Sequence, residues 1–245
     1  LATTRCGPDD YIRQGVTRCG QRLRYTSHFW CARRRLILRV ARAVSSVWPI
    51  PLMSTQPCVI VLAAGQGRRF GAPSHKLEQT LGTTTVLSNC LTRVMSSGLP
   101  MIVVTTPRLA SSVQALVASS DMVVVPDESQ GAGMGLSIAA GVQARPHADG
   151  WLVMPADMPL VRASTLRAVA TALREHPIAF AQHHGRRGHP VGFSGELYSE
   201  LSRLKGDEGA RRIVARYPAM PIEVDDPGIL LDIDTNDDLL QARAY

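Results

Sequence analysis

From residue 53 onward, apolar positions gather into short dense runs, and the stretches between them place apolar residues at helical spacing. The runs are Cys58–Ala63, Met101–Thr105, Met122–Val125, Trp151–Met154 and Ile178–Ala181. Each has strand length and is apolar at nearly every position, the pattern of a strand covered on both faces. Helical spacing fills Thr85–Ser97, Leu109–Ser119, Met134–Arg145 and Ser164–His176. Short strands alternating with helices of about 11–13 residues predict βαβ units and a parallel sheet. The tail is less regular: Pro190–Phe193 reads as a strand, and Gly195–Leu204, Glu208–Tyr217 and Asp237–Arg243 as helices. No repeat or low-complexity linker interrupts the pattern. The expected fold is α/β: a single doubly wound, mostly parallel sheet with helices on both faces.

Open sheets of this kind bind ligands beyond the carboxyl ends of their strands. The segments richest in chemistry lie there. Residues 64–76 follow the first run, 126–135 the third, 156–162 the fourth and 183–189 the fifth.

Charge changes the picture at one place only. The formal net charge is +7, yet residues 1–52 hold ten Arg, no Lys and two acidic residues. The other 193 residues hold 17 basic and 18 acidic ones. The basicity belongs to the leader, so the pI is no sign of nucleic-acid binding. The leader shows no strand–helix alternation before about Cys31, and Cys31–Val47 has the pattern of a basic amphipathic helix. Met53 opens a stretch that reads like a natural start. Residues 1–52 are therefore expected to be upstream sequence, disordered or foreign to the native protein, with 53–245 as the working domain. A transit peptide and a membrane-surface arm are the alternatives. No apolar run nears the roughly 18 residues of a membrane span, and no membrane partner is expected. Cys6, Cys19 and Cys31 have no metal spacing, and Cys58 and Cys90 offer no disulfide framework. A reducing cytoplasm suits such a chain.

The first loaded segment, VLAAGQGRRFGAPSHK over Val61–Lys76, is the most telling. It fails the P-loop pattern, because no glycine precedes the lysine. It also fails the dinucleotide fingerprint, because Phe70 stands at the third glycine position and no acidic residue ends the second strand. What remains is a strand closing on small residues, then Arg68, Arg69 and Lys76. Small residues admit a ligand close to the backbone. Turn amides point at anions, and the cations add charge where a phosphate chain would lie. A surface turn with solvated arginines is the plainer alternative.

Taken with five later segments, this loop resembles the opening signature of the MobA-like nucleotidyltransferases. The later segments are Gln130–Ser137, Pro155–Val161, Arg187–Phe193 and Gly206–Arg211, with Asp232-Ile233-Asp234-Thr235 closing the series. Within that family the chain is most similar to the molybdenum cofactor cytidylyltransferases. The resemblance covers about Pro57–Leu240, leaves residues 1–52 untouched, and implies a Rossmann-like nucleotidyltransferase fold. It also implies a reaction: transfer of CMP from CTP to the molybdopterin of molybdenum cofactor, with release of pyrophosphate. GTP, a sugar phosphate or a polyol phosphate are alternative substrates. A non-catalytic cofactor carrier is the alternative of another class. A molybdenum hydroxylase apoenzyme is the implied protein partner.

Roles follow the same resemblance. Arg68 and Lys76 would neutralise the triphosphate, with Lys76 nearest the α-phosphate, and Asp157 would complete the catalytic set. Leu62, Ala63, Ala64, Gly65, Gly67, Lys76, Gly133 and Ser137 would bind the nucleotide. Ala64 stands where the guanylyltransferase branch has glycine, and its methyl would limit how closely a base approaches. Arg187, His189 and Asp207 would bind the acceptor, with Asp207 also able to cap a helix. Mg²⁺ would be held by Asp157 and Asp234, with Asp232 as substitute and Asp237 capping the last helix. Two departures stand out. Leu136-Ser137 replaces a frequent serine pair, and four residues separate Gly71 from Lys76 where many relatives have fewer. A zinc site from His183, His184 and His189 finds no supporting spacing and no nearby cysteine.

Overall fold

The computed structural model describes residues 56–67, 70, 75–126, 133–207 and 209–245. They belong to one unit, Ser54–Tyr245. Residues 1–55, Arg68, Arg69, residues 71–74, residues 127–132 and residue 208 lie outside the described residues.

Seven strands form the main sheet. They are β1 (Cys58–Ala63), β4 (Met101–Thr105), β5 (Met122–Val124), β6 (Gly150–Pro155), β7 (Ile178–His183), β8 (Arg186–Ser194) and β9 (Ala219–Glu223). Two short strands, β2 (Thr80–Leu81) and β3 (Thr84–Thr85), make a separate hairpin. The main order is β5-β4-β1-β6-β8-β7-β9. β1 sits at its centre, parallel to β4 with Val59 opposite Met101, and parallel to β6 with Cys58 opposite Trp151. Only β8 runs the other way, antiparallel to both β6 and β7.

The helices are α1 (Val86–Met95), α2 (Ala110–Gln114), α3 (Gly133–Ala144), α4 (Ala163–Ala172), α5 (Tyr198–Leu201), α6 (Arg211–Arg216) and α7 (Asn236–Arg243). Alternation along β1 splits the core in two. Val59, Val61 and Ala63 join a cluster with Leu87, Leu91, Leu166 and Val169 from α1 and α4. Cys58 and Ile60 join a second cluster with Ile138 and Val142 from α3. Burying a side chain of this size contributes about 1.5–3 kcal/mol, and both faces of the strand are used. The expected doubly wound sheet is the observed one. Cys58 and Cys90 are free and buried. Burial raises both thiols, that of Cys58 to about 12, which leaves them unreactive.

The differences from expectation have local causes. β9 escaped the pattern because it is an edge strand, mostly exposed and holding Pro221. β2 and β3 are too short to show a period. α2, α5 and α6 are shorter than their spacing suggested, and none of them has a side-chain N-cap. Residues 183–189 are not a loop. β7 runs on to His183, His184 and Gly185 turn at positive φ, and β8 begins at Arg186. β8's reversed direction is what brings Arg187 and His189 back to the carboxyl ends of β1 and β6. No helix among the described residues is long and apolar enough to cross a membrane.

Candidate active site

At the carboxyl ends of β1 and β6 the two strands are stitched together, with Ala156 N–H donating to Leu62 O at 3.0 Å. Asp157 follows at once. Its own carbonyl accepts from Ile233 N–H at 3.0 Å, which draws residues 232–234 to the same place. Lys76 arrives at the end of the glycine loop, on a single turn, Lys76–Glu78. Its Nζ donates to Asp157 Oδ2 at 2.5 Å and to Asp234 Oδ1 at 2.6 Å. One ammonium therefore bridges two carboxylates from distant parts of the chain. Burial pulls the lysine pKa down, but the field and hydrogen bonds of Asp157 and Asp234 outweigh it, and the net shift is upward. Lys76 is a fixed cation.

Asp234 faces Lys76, and the cap of α7 is made by others. Thr235 is the N-cap, and Asp238 reciprocates from the third helical position in a capping box. Neither Asp234 nor Asp237 supplies the capping side chain.

This cluster opens on a cavity of about 810 Å³, within the range of about 300–1,000 Å³ usual for small-molecule sites. Of the residues expected to bind nucleotide, Leu62, Gly65, Gly67 and Lys76 line it. Gly67, at φ +62°, needs to be glycine, and an added Cβ would lie 3.3 Å from Lys76 Cγ. Ala63 and Ala64 turn into the two core clusters instead. The Ala64 methyl is 3% exposed and absent from the cavity lining, so the steric argument built on it has no cavity surface to act on. Gly133 and Ser137 are likewise buried in α3 and do not line the cavity. Gly133 serves chain packing: at φ +60°, an added Cβ would fall 2.4 Å from Gly206 C and 2.6 Å from Asp207 Oδ1. Gly135 N–H donates to Gly206 O at 2.8 Å. Met134, half exposed between them, is the α3 residue that reaches the cavity.

The expected acceptor residues Arg187, His189 and Asp207 all line the cavity, as do Arg186 and Asp232. Arg187 lies over the Phe180 ring, 4.4 Å from its centroid, and burial lowers its pKa. Burial also holds His189 below the usual histidine value, against the opposing pull of the Val153 carbonyl and Asp157. Asp207 caps no helix, since α6 starts after Ala210 without a side-chain cap. Arg68 lies outside the described residues. Sequence reasoning missed His75, which is 4% exposed and hydrogen-bonded at both ring nitrogens. A ring that ties neighbours ten residues apart leaves no periodic trace.

Two observations bear on a divalent cation. Asp157 Oδ1 is buried with no hydrogen-bond partner, an arrangement that favours a ligand. Two carboxylates converge here, but no group of three or more potential metal ligands occurs among the described residues. That donor set fits Mg²⁺ or Mn²⁺ completing its shell with substrate oxygens.

Known proteins are similar to this chain. The MobA-like NTP transferase domain matches residues 59–220. The purine catabolism protein PucB of Bacillus subtilis is 29% identical over 75% of this chain and 94% of its own. The crystal structure of Rv0371c from Mycobacterium tuberculosis is 32% identical, covers 78% of this chain and 98% of its own, and superposes with a TM-score of 0.68. A manganese complex of Rv0371c is 31% identical, with a TM-score of 0.63 and coverage of 78% and 100%. The family match spans well over half of the residues, so the chain belongs to the MobA-like NTP transferases, enzymes of nucleotidyl transfer.

Proposed function

We propose that this chain transfers CMP from CTP to the molybdopterin of molybdenum cofactor and releases pyrophosphate. The observation that carries nucleotidyl transfer to these residues is the Lys76–Asp157–Asp234 cluster at the strand ends, opening on the cavity. The choice of CTP rests on the Leu62-Ala63-Ala64-Gly65 resemblance. A relative named for purine catabolism accords with a product destined for a molybdenum hydroxylase of the xanthine dehydrogenase type.

In the reaction an oxygen of the acceptor phosphate bonds to the α-phosphorus in line. The bond from that phosphorus to the β-phosphate oxygen breaks, and its electron pair leaves with pyrophosphate. The obstacle is repulsion between anions, so positioning and neutralisation carry the catalysis. Lys76 neutralises the α-phosphate, and Arg68 would add positive charge for the triphosphate. Gly65 and Gly67 let the phosphates approach the backbone. Asp157 and Asp234 would hold Mg²⁺, which would supply charge to the phosphate oxygens. Arg187 and His189, which also line the cavity, receive the acceptor phosphate, and Asp207 lies beside α3.

The full chain, Mg²⁺, each NTP in turn and molybdenum cofactor provide the test, with pyrophosphate as the readout. Release with CTP is expected. Release with GTP alone overturns the base assignment, and release only with sugar or polyol phosphates overturns the acceptor. No release with any pair favours the cofactor carrier.

A further inference from the structure

The glycine loop has to be held at both ends if Lys76 is to arrive at a fixed point. Its entry at Gly65 is exposed. Its exit carries Lys76 on a turn of three residues, too short to be rigid by itself. One side chain joins the two ends. His75 is buried at 4% exposure, with Nε2 2.8 Å from Gly65 O and Nδ1 3.2 Å from Leu77 N. An amide N–H can only donate, so Nδ1 is the acceptor. The proton then sits on Nε2 and is donated to the Gly65 carbonyl. A single neutral tautomer satisfies both neighbours.

The ring also touches the third part of the loop. A Cβ added at Gly67 would lie 3.4 Å from His75 Nε2 and 3.3 Å from Lys76 Cγ. Gly67, the imidazole and the lysine stem are thus stacked together. Where the ring sits decides where the stem runs, and so where Nζ meets Asp157 and Asp234.

We propose that His75 is a positioning residue for nucleotidyl transfer: its neutral ring, protonated on Nε2, clamps the glycine loop onto Lys76 and fixes the ammonium at the triphosphate. The proposal rests on the reading that Lys76 serves the α-phosphate.

Protonation would undo the clamp, because it takes the Nδ1 lone pair that Leu77 N–H uses. Burial opposes that protonation. The facing charges are Arg108 and Lys76, which also oppose it, and Glu78, which favours it as the Gly65 carbonyl does. The net effect holds the ring below the usual histidine range.

The test compares His75→Gln, His75→Asn and His75→Ala in the full chain. Glutamine keeps a donor that reaches towards Gly65. Asparagine keeps an acceptor for Leu77 N–H but cannot span to Gly65. Misplacing a reacting group by about 1 Å costs up to roughly 10²-fold in rate. We expect kcat to fall about 10- to 100-fold in the asparagine and alanine variants. Their KM for nucleotide should change little, and the glutamine variant should recover most of the rate. Nitrogen-15 NMR of the wild-type ring at neutral pH should show Nε2 protonated and Nδ1 bare. An asparagine variant that turns over like wild type, or a ring protonated on Nδ1, overturns the inference and leaves the transferase reading standing. A wild-type chain with no turnover on any nucleotide and acceptor overturns both.

Discussion

Replacing Lys76 by Met removes the ammonium that bridges Asp157 and Asp234 and keeps a side chain of similar length. The three side chains are 10%, 16% and 22% exposed. They sit between a surface pair, worth about 0–1 kcal/mol, and a fully buried pair, where loss of one partner costs about 3–5 kcal/mol. Two carboxylates within reach of one nitrogen would also repel once it is gone. We expect a loss of about 3 kcal/mol in metal-free buffer, the low end of the buried range. For a domain of this size each kcal/mol moves Tm by about 2–4 °C, so Tm should fall by about 6–12 °C. Mn²⁺ then supplies the decisive comparison. In the variant it meets two carboxylates that no longer share the Lys76 ammonium, and at about 100 times its Kd it would return roughly 2.7 kcal/mol. In the wild type the ammonium already stands on Asp157 Oδ2 and Asp234 Oδ1, with Asp157 Oδ1 left to a metal, so Mn²⁺ alone should raise Tm less. Thermal melts of the full chain, each with and without Mn²⁺, read both effects. A variant within about 2 °C of wild type, less than 1 kcal/mol by the same conversion, would refute the claim that Lys76 balances the pair. Equal stabilisation of the two proteins by Mn²⁺ would refute the claim that the lysine and the metal share one position.

Asp157→Asn should leave the fold intact by circular dichroism and lower kcat by roughly 10²–10³, the scale of losing one electrostatic group at a phosphoryl centre; an unfolded protein would point to a structural role instead. Gly133→Ala places a Cβ 2.4 Å from Gly206 C at a positive φ and should cost about 1–3 kcal/mol in urea unfolding, whereas a neutral result would show that the 205–207 segment moves aside freely. Stability should also fall as the pH drops below 6.5. His75 and His189 both titrate below that value when folded, so the unfolded chain binds more protons, and the stability held above 6.5 is lost as pH falls towards the folded values. His75→Gln should flatten that slope in pH-dependent denaturation, and an unchanged slope would contradict the assignment.

How much of this was legible depends on what each residue answers to. β1 and β4 were readable to the residue, because each is an unbroken apolar run between two helical layers. The first half of β8 was not, because Arg186, Arg187 and His189 carry cavity chemistry and look like a loop. Their strand geometry comes from pairing with β7, Gln182 opposite Arg187, which no side-chain pattern records. Gly133 shows the converse limit. A glycine that admits a ligand and one that admits another stretch of backbone leave the same mark in the sequence, and here Gly206 is the neighbour. Ala64 is expected to face the base because it stands where the guanylyltransferase branch has glycine, yet its methyl continues the inward face of Ile60.

Lys76 and its carboxylates lie 81 and 158 residues apart in sequence, and a parallel sheet explains why such a site is built at all. Every βα crossover returns the chain to the same starting edge, so the carboxyl ends of β1 and β6 emerge side by side whatever the connection length. Charge then dictates what the site can accept. Among the described residues lining the cavity, Asp157, Asp207, Asp232 and Asp234 outnumber Lys76, Arg186 and Arg187. A triphosphate entering beside those carboxylates would meet local repulsion from them. A divalent cation taking over the carboxylates would relieve it and leave the charge of Lys76 for the phosphates. Nucleotide and metal would therefore bind as one unit, with the lysine holding the carboxylates in register until they arrive.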